Sequence, residues 1–300
     1  MTKRRAIVAG AGAFLLVNSV VYFPLLKVCA ATLTGRNACT LGQTISGIRY
    51  VDHRQRVAMS LAKGSHIVER GAGDLVLWET PRGPFWIPAR SNPYILVELS
   101  EQENNLYGTG EWAVQAGDTV LDCGANIGVF TQTALLAGAK LVVAIELAPD
   151  NIESLRRTFQ KEIAAGRVVV YPKGVWNKDD YLVLDSSGSS LDDSVVFHAA
   201  NHSGPKVPLT TIDKIVAELG LARVDFIKMD IEGAEREALD GARRTIAAYK
   251  PRLAIATEHL PGDPEQIPVL VHGLWSGYRM QCGPCYGMHG RIQPDVEYFR

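Results

Sequence analysis

Acidic side chains are missing from the start of this 300-residue chain: none occurs before Asp52. Clustered positive charge is missing as well. The first 27 residues carry Lys3, Arg4, Arg5 and Lys27, and with 31 cations against 32 acids overall the body beyond them is mildly acidic. Binding to nucleic acid without sequence preference needs grouped lysine and arginine, so no nucleic-acid partner is expected. Charge is sparse in total, at 21% beside 47% hydrophobic content. That balance belongs to a globular enzyme and excludes wholesale disorder. The length suits one large α/β domain with a tail, or two small domains.

Charge is also absent from Ala6 to Leu26, a run about as long as the roughly 20 residues a helix needs to cross a bilayer. This predicts an anchor over residues 1–30 and a single-pass membrane localisation. A cleaved signal peptide competes, because Val28-Cys29-Ala30 resembles a small-residue cleavage site. The segment Ile7–Gly12 mimics a strand feeding a dinucleotide turn, but Leu15 stands where a third small residue is needed and no acid follows at the right distance. Cations before the run outnumber Lys27 and Arg36 after it, a bias toward an external C-terminal body.

Residues 31–95 read as a linker and an extension. Within it, Leu75–Glu79 and Pro84–Pro88 flank the turn Thr80-Pro81-Arg82-Gly83, a hairpin pattern; residues 30–65 read as linker or irregular cap. From about residue 96 to 300 the pattern is one domain. Strands are predicted at Thr119–Cys123, Leu141–Glu146, Val168–Tyr171, Val224–Ile231 and Leu253–Thr257. Helical stretches separate them, and Pro149 with Asp150 opens one. Residues 177–206 are polar and form an insertion. Strand–helix alternation implies an α/β fold, a parallel sheet with helices on both faces. Ligands in such sheets bind beyond the carboxyl ends of the strands.

The first of these strands ends in Asp122-Cys123-Gly124-Ala125-Asn126-Ile127-Gly128. The glycine spacing is G-x-x-x-G, not the G-x-G-x-x-G that cradles a pyrophosphate, which disfavours a nicotinamide-dependent oxidoreductase. Glycine permits sharp turns and close approach of a ligand. Asp122 suits a cationic amino group. Glu146 closes the next strand, where a carboxylate accepts hydrogen bonds from a ribose diol, and Leu147 offers an apolar wall for a base.

Together, VLDCGANIGVFT and VVAIELAPDNIESLRRTF resemble the first two motifs of class I methyltransferases. VDFIKMDIEGAEREALDGA resembles the signature of the FkbM-type methyltransferase family, a likeness running from about Val97 to Phe299. The resemblance implies a Rossmann-like seven-stranded methyltransferase sheet with an antiparallel final strand. It implies S-adenosyl-L-methionine as cofactor, contacted by Asp122, Gly124, Asn126, Gly128, Glu146 and Leu147, and O-methylation of a sugar, lipid-linked glycan or small metabolite. A non-catalytic nucleoside-binding module of the same fold is the alternative.

On the acceptor side, Lys228, Asp230 and Glu232 share a face by strand alternation. Asp230 and Glu232 are candidates for gripping or deprotonating a hydroxyl, and His259, after Glu258 at another strand end, is an alternative base. Lys228 in an apolar strand calls for an acidic partner. No metal is expected, since no His/Asp/Glu set has ligand spacing, although Glu232, Glu258 and His259 could in principle meet. Of five cysteines, Cys282 and Cys285 form a C-x-x-C without the helix that a thioredoxin-like site needs. A loop over the acceptor pocket is expected there. Local Cys282–Cys285 and Cys29–Cys39 disulfides are the pairings considered; zinc on Cys282, Cys285 and His289 lacks a fourth ligand.

Overall fold

Thr40 starts a long helix of the computed structural model, which describes residues 31–183 and 205–300 apart from residues 36, 72, 92, 93 and 289. Its hydroxyl accepts from the Gln43 N–H while the Gln43 side chain accepts from the Thr40 N–H, a reciprocal cap that satisfies two otherwise orphaned donors. The helix, α1, runs Leu41–Lys63. Strands β1 (His66–Arg70), β2 (Leu75–Thr80) and β3 (Gly83–Pro88) then form an antiparallel sheet. Helix α2 (Ile95–Glu103) leads into the central unit.

That unit proceeds through β4 (Thr119–Cys123), α3 (Val129–Leu136), β5 (Leu141–Ile145), α4 (Pro149–Thr158), α5 (Gln160–Ala164) and β6 (Val168–Tyr171). Short strands β7 (Gly174–Val175), β8 (Asp180–Val183) and β9 (Lys206–Thr210) make a side sheet. After α6 (Ile212–Glu218) come β10 (Phe226–Met229), α7 (Glu235–Asp240), α8 (Arg243–Tyr249), β11 (Arg252–Ala256) and α9 (Asp263–Leu274). The chain ends with β12 (Met280–Cys282), the hairpin β13 (Cys285–Met288) and β14 (Arg291–Pro294), and β15 (Val296–Phe299).

The main sheet has seven strands in the order β12-β15-β11-β10-β4-β5-β6. From β11 to β6 neighbours run parallel, while β15 is antiparallel to both β11 and β12. The mixed α/β sheet with an inverted last strand is the one the motifs imply. β4, β5, β10 and β11 are almost wholly buried, and apolar but for Thr119, Asp122, Lys228 and Arg252, as befits strands covered on both faces. Strand order reverses between β4 and β10, so a crevice opens beyond their carboxyl ends.

Three expectations are corrected. The anchor over Ala6–Leu26, and with it the single-pass membrane localisation, is not supported. Among the described residues no helix is long and apolar enough to cross a membrane, and residues 6–26 lie outside the described ones. α1 has the length, but Arg49, Asp52, Arg54 and Arg56 interrupt it. Second, the expected linker is largely this helix. Only Thr44, Gly47 and Leu61 are buried along it, so no apolar stripe advertises it. The hairpin gains β1 and shares a core with α2 and α3, through Trp78, Phe85, Ile87, Leu99 and Val129. Third, the disulfide is not local. Cys39 pairs with Cys285, 246 residues away, leaving Cys282 free. The expected loop over the pocket is instead the β13–β14 hairpin docked on α1, where a Cβ on Gly47 would fall 1.6 Å from the Cys285 carbonyl oxygen. With its sulfur in the disulfide, Cys285 is no zinc thiolate; Cys29 and His289 lie outside the described residues.

Candidate active site

Beyond the tips of β4, β5, β10 and β11 lies a cavity of about 260 Å³, roofed by Glu98, Glu101 and Gln102 of α2 and by Tyr107. Its floor begins at Gly124. The amides of Gly124 and Ala125 both donate to the Ile145 carbonyl at 3.0 Å, which folds the chain sharply after β4. Gly124 has φ +75°, and a Cβ there would meet the Asp230 carbonyl oxygen at 1.9 Å. Gly128, at φ +95°, faces the Phe159 ring at 2.3 Å in the same way. Both glycines are therefore demanded by close packing of the loop against β10 and α4; Gly124 also lines the cavity.

Glu146, at the tip of β5, is held by three backbone donors. Its Oε2 accepts from Asn126 at 2.8 Å, and its Oε1 from Leu147 at 2.8 Å and Ala148 at 2.7 Å. Burial pushes its carboxyl above the usual range, and those three N–H groups pull against it. Asn126, itself at φ +51°, donates to Glu98 at 3.2 Å, and its buried Oδ1 has no hydrogen-bond partner among the described residues. Leu147 also lines this end.

Asp122 is placed differently from its expected role. Fully buried, it accepts from Thr131 at 2.6 Å and faces Lys228 at 3.4 Å, and it does not line the cavity. Parallel register sets Lys228 directly beside it. The Lys228 ammonium donates to the Gly124 carbonyl at 2.6 Å, lies 3.8 Å from Asp230, and sits over the Tyr107 ring at 5.2 Å. Burial opposes its charge, but Asp122 and Asp230 outweigh that and raise its pKa. The acidic partner the sequence called for is thus Asp122, with Asp230 second.

The opposite end of the cavity gathers Asp230, Glu232, Glu258 and His259. Oδ2 of Asp230 accepts from the Tyr107 hydroxyl at 2.5 Å; Oδ1 stands 3.5 Å from His259 Nε2. Burial would raise Asp230, yet Lys228 and His259 hold it below the usual carboxylate range. Glu232 Oε2 is likewise 3.5 Å from His259 Nε2, and Glu258 Oε1 is 4.0 Å away. The loop carrying Glu232, at φ +56°, is pinned by Glu235, whose Oε1 accepts from the Ile231 N–H at 2.9 Å and meets His259 Nδ1 at 3.0 Å. Burial disfavours the imidazolium, but Glu235, Glu232 and Asp230 overcome it and hold His259 well above the ordinary histidine range. Burial and the nearby Asp295 hold Glu258 protonated well above its usual range.

Asp230, Glu232 and His259, like Asn126, Glu146 and Leu147, are therefore brought to one cavity, while Asp122 stands behind its wall. Sequence reasoning missed the roof. Glu98 and Glu101 are pushed up to about 8 by burial and by neighbouring acids, and Tyr107 caps Asp230. Their signal was acids three apart on a helix whose other positions, Ile95 and Leu99, are fully buried.

Comparison with solved structures finds an FkbM methyltransferase from Methylobacillus flagellatus KT at 20% identity, covering 86% of this chain and 60% of that one, with a TM-score of 0.51. This chain thus spans about three-fifths of that protein's length. M. jannaschii TYW2, solved in complex with AdoMet, is 14% identical over 77% of this chain and 88% of its own, with a TM-score of 0.45. No curated protein matches. The family model described as Methyltransferase FkbM domain matches residues 122–280, more than half of the chain, and the chain belongs to that family.

Proposed function

We propose that the chain is a methyltransferase that uses S-adenosyl-L-methionine to methylate a hydroxyl oxygen of a sugar, lipid-linked glycan or small metabolite. The observation that carries this is a single cavity with a backbone-anchored carboxylate, Glu146, at one end and Asp230, Glu232 and His259 at the other. The residues present fit the donor. Glu146 Oε2, which accepts only from Asn126, keeps one lone pair for a ribose hydroxyl, Leu147 flanks a base, and the orphaned Asn126 Oδ1 is a buried acceptor in want of a donor. When bound, the donor supplies an electrophilic methyl group on a sulfonium. Asp230, held anionic by Lys228 and steadied by Tyr107, accepts a hydrogen bond from the acceptor hydroxyl and fixes its oxygen. Glu232 lies beside it to take up the proton. His259, whose ring Glu235 turns toward these carboxylates, is not the base.

Calorimetry with the donor and transfer of labelled methyl to acceptor fractions test the reading. Glu146→Ala should weaken donor binding by one to two orders of magnitude, given about 1.5–3 kcal/mol for a hydrogen bond to a charged group. Asp230→Asn should leave donor binding within a few-fold and lower turnover. A folded wild-type chain that fails to bind the donor, or unchanged affinity in Glu146→Ala, would refute it.

A further inference from the structure

The carboxylates and imidazole at the acceptor end converge on one point of the cavity. Donor atoms of Asp230, Glu232 and His259 all lie within 4.8 Å of one another. We propose that these three side chains bind a divalent cation of the manganese or magnesium class, which takes up the acceptor hydroxyl oxygen.

His259 is oriented as a ligand. Its Nδ1 is fixed at 3.0 Å by Glu235, only 1% exposed, and this turns Nε2 toward the cavity. A buried carboxylate on the far nitrogen of an imidazole is the arrangement that orients metal-ligating histidines. The second oxygen of Glu235 is buried and has no hydrogen-bond partner among the described residues, so beyond the Ile231 N–H the carboxylate keeps negative charge behind the ring. Asp230 is oriented too. Tyr107 and Lys228 occupy its Oδ2 side, which leaves Oδ1 directed at His259.

The separations suit ligands placed around one common point. An imidazolium paired with carboxylates brings N and O to roughly 2.7–3.2 Å. Nε2 instead stands 3.5 Å from Asp230 and 3.5 Å from Glu232, beyond hydrogen-bond length on both sides. Cis ligands about 2.1 Å from a shared octahedral ion lie about 3.0 Å apart, so both carboxylates and Nε2 reach one ion once each separation closes by about 0.5 Å. Glu258, at 4.0 Å from the same nitrogen, stands where a fourth ligand or a bound water is held. Two carboxylates beside one imidazole suit an oxygen-preferring ion. The chemical role rests on the acceptor-side reading above, since an ion here lowers the hydroxyl's pKa and fixes its oxygen; binding of the ion does not depend on it.

The test is a Mn²⁺ titration of the full chain followed by electron paramagnetic resonance, with neither methyl donor nor acceptor present. Wild type is expected to show one saturable site at sub-millimolar concentration. E232Q and H259A should weaken it by about tenfold to a hundredfold, with folding verified by circular dichroism, while E265Q on the exposed face of α9 leaves it unchanged. Absence of a saturable site in wild type, or unchanged affinity in either folded variant, overturns the proposal. A failed methyl-transfer assay leaves this readout untouched, so the two readings fail separately.

Discussion

Replacing Lys228 by methionine isolates the interaction that ties β10 to the turn after β4. The side chain is 4% exposed and its acidic neighbour Asp122 is fully buried, so solvent screening does little to soften the change. Methionine keeps most of the volume and removes the charge. Lost with it are the 2.6 Å bond to the Gly124 carbonyl and the cation facing Asp122 at 3.4 Å. Breaking a buried pair from one side costs about 3–5 kcal/mol, because the remaining charge is left uncompensated. At about 2–4 °C per kcal/mol for a chain of this size, the midpoint should fall by roughly 6–20 °C. Urea unfolding with an unchanged slope would show that stability, not compactness, has moved. The decisive comparison is Lys228→Met combined with Asp122→Asn. Asparagine still accepts from Thr131 and carries no charge, so the double variant should be more stable than the sum of the single losses by at least about 1 kcal/mol. Additive losses, or a Lys228→Met variant within about 1 kcal/mol of wild type, would refute the reasoning.

The roof acids make a prediction about pH. Glu98 is pushed up to about 8 in the folded chain, against about 4.3 when unfolded. The folded state therefore holds the extra proton between those values, and this contribution is complete at acid pH and lost as pH rises through 8. Glu98→Gln should accordingly gain stability relative to wild type at pH 9 and change little at pH 5; equal effects at both would contradict the assignment. The Cys39–Cys285 bridge closes a loop of 246 residues, and its loss should cost about 2–5 kcal/mol. Wild type under reductant should melt where Cys39→Ser does, and reductant should leave Cys39→Ser unmoved; a reduced wild type, verified by thiol count, with an unshifted midpoint would be the contrary result.

What could be read from the chain, and what could not, follows from the range of the forces involved. β4 and β5 were legible to within a residue because each is a continuous apolar run closed by a turn. The acids at 146, 230 and 258 were legible because strand ends point at the crevice. α1 was not: its reciprocal cap at Thr40 is local, but its place is fixed by Gly47 meeting the Cys285 backbone, a contact that spans most of the chain. The cysteine pairing is non-local for the same reason, and cysteine spacing alone cannot specify connectivity. Asp122 misled because position at a strand tip does not reveal which way a side chain turns. Register with Lys228 turned it inward.

The same pairing bears on what the cavity can hold. Six carboxylates line it against Lys173, Lys228 and His259, and Lys228 is already committed to Asp122 and Asp230. Mutual repulsion and burial drive protons onto Glu98, Glu101 and Glu258, turning them from anions into hydrogen-bond donors. Asp230 alone among the wall acids with a displaced pKa is held below its usual range, because the fixed cations are grouped around it. A diphosphate entering this space would meet Glu146 at one end and Asp230 at the other, with Lys228 already paired and Lys173 drawn toward Glu218 at 3.8 Å. A sulfonium, or a divalent ion, enters a wall whose acids outnumber its cations among the lining residues. The charge of the ligand is thus set less by the glycine turn than by where Lys228 spends its own.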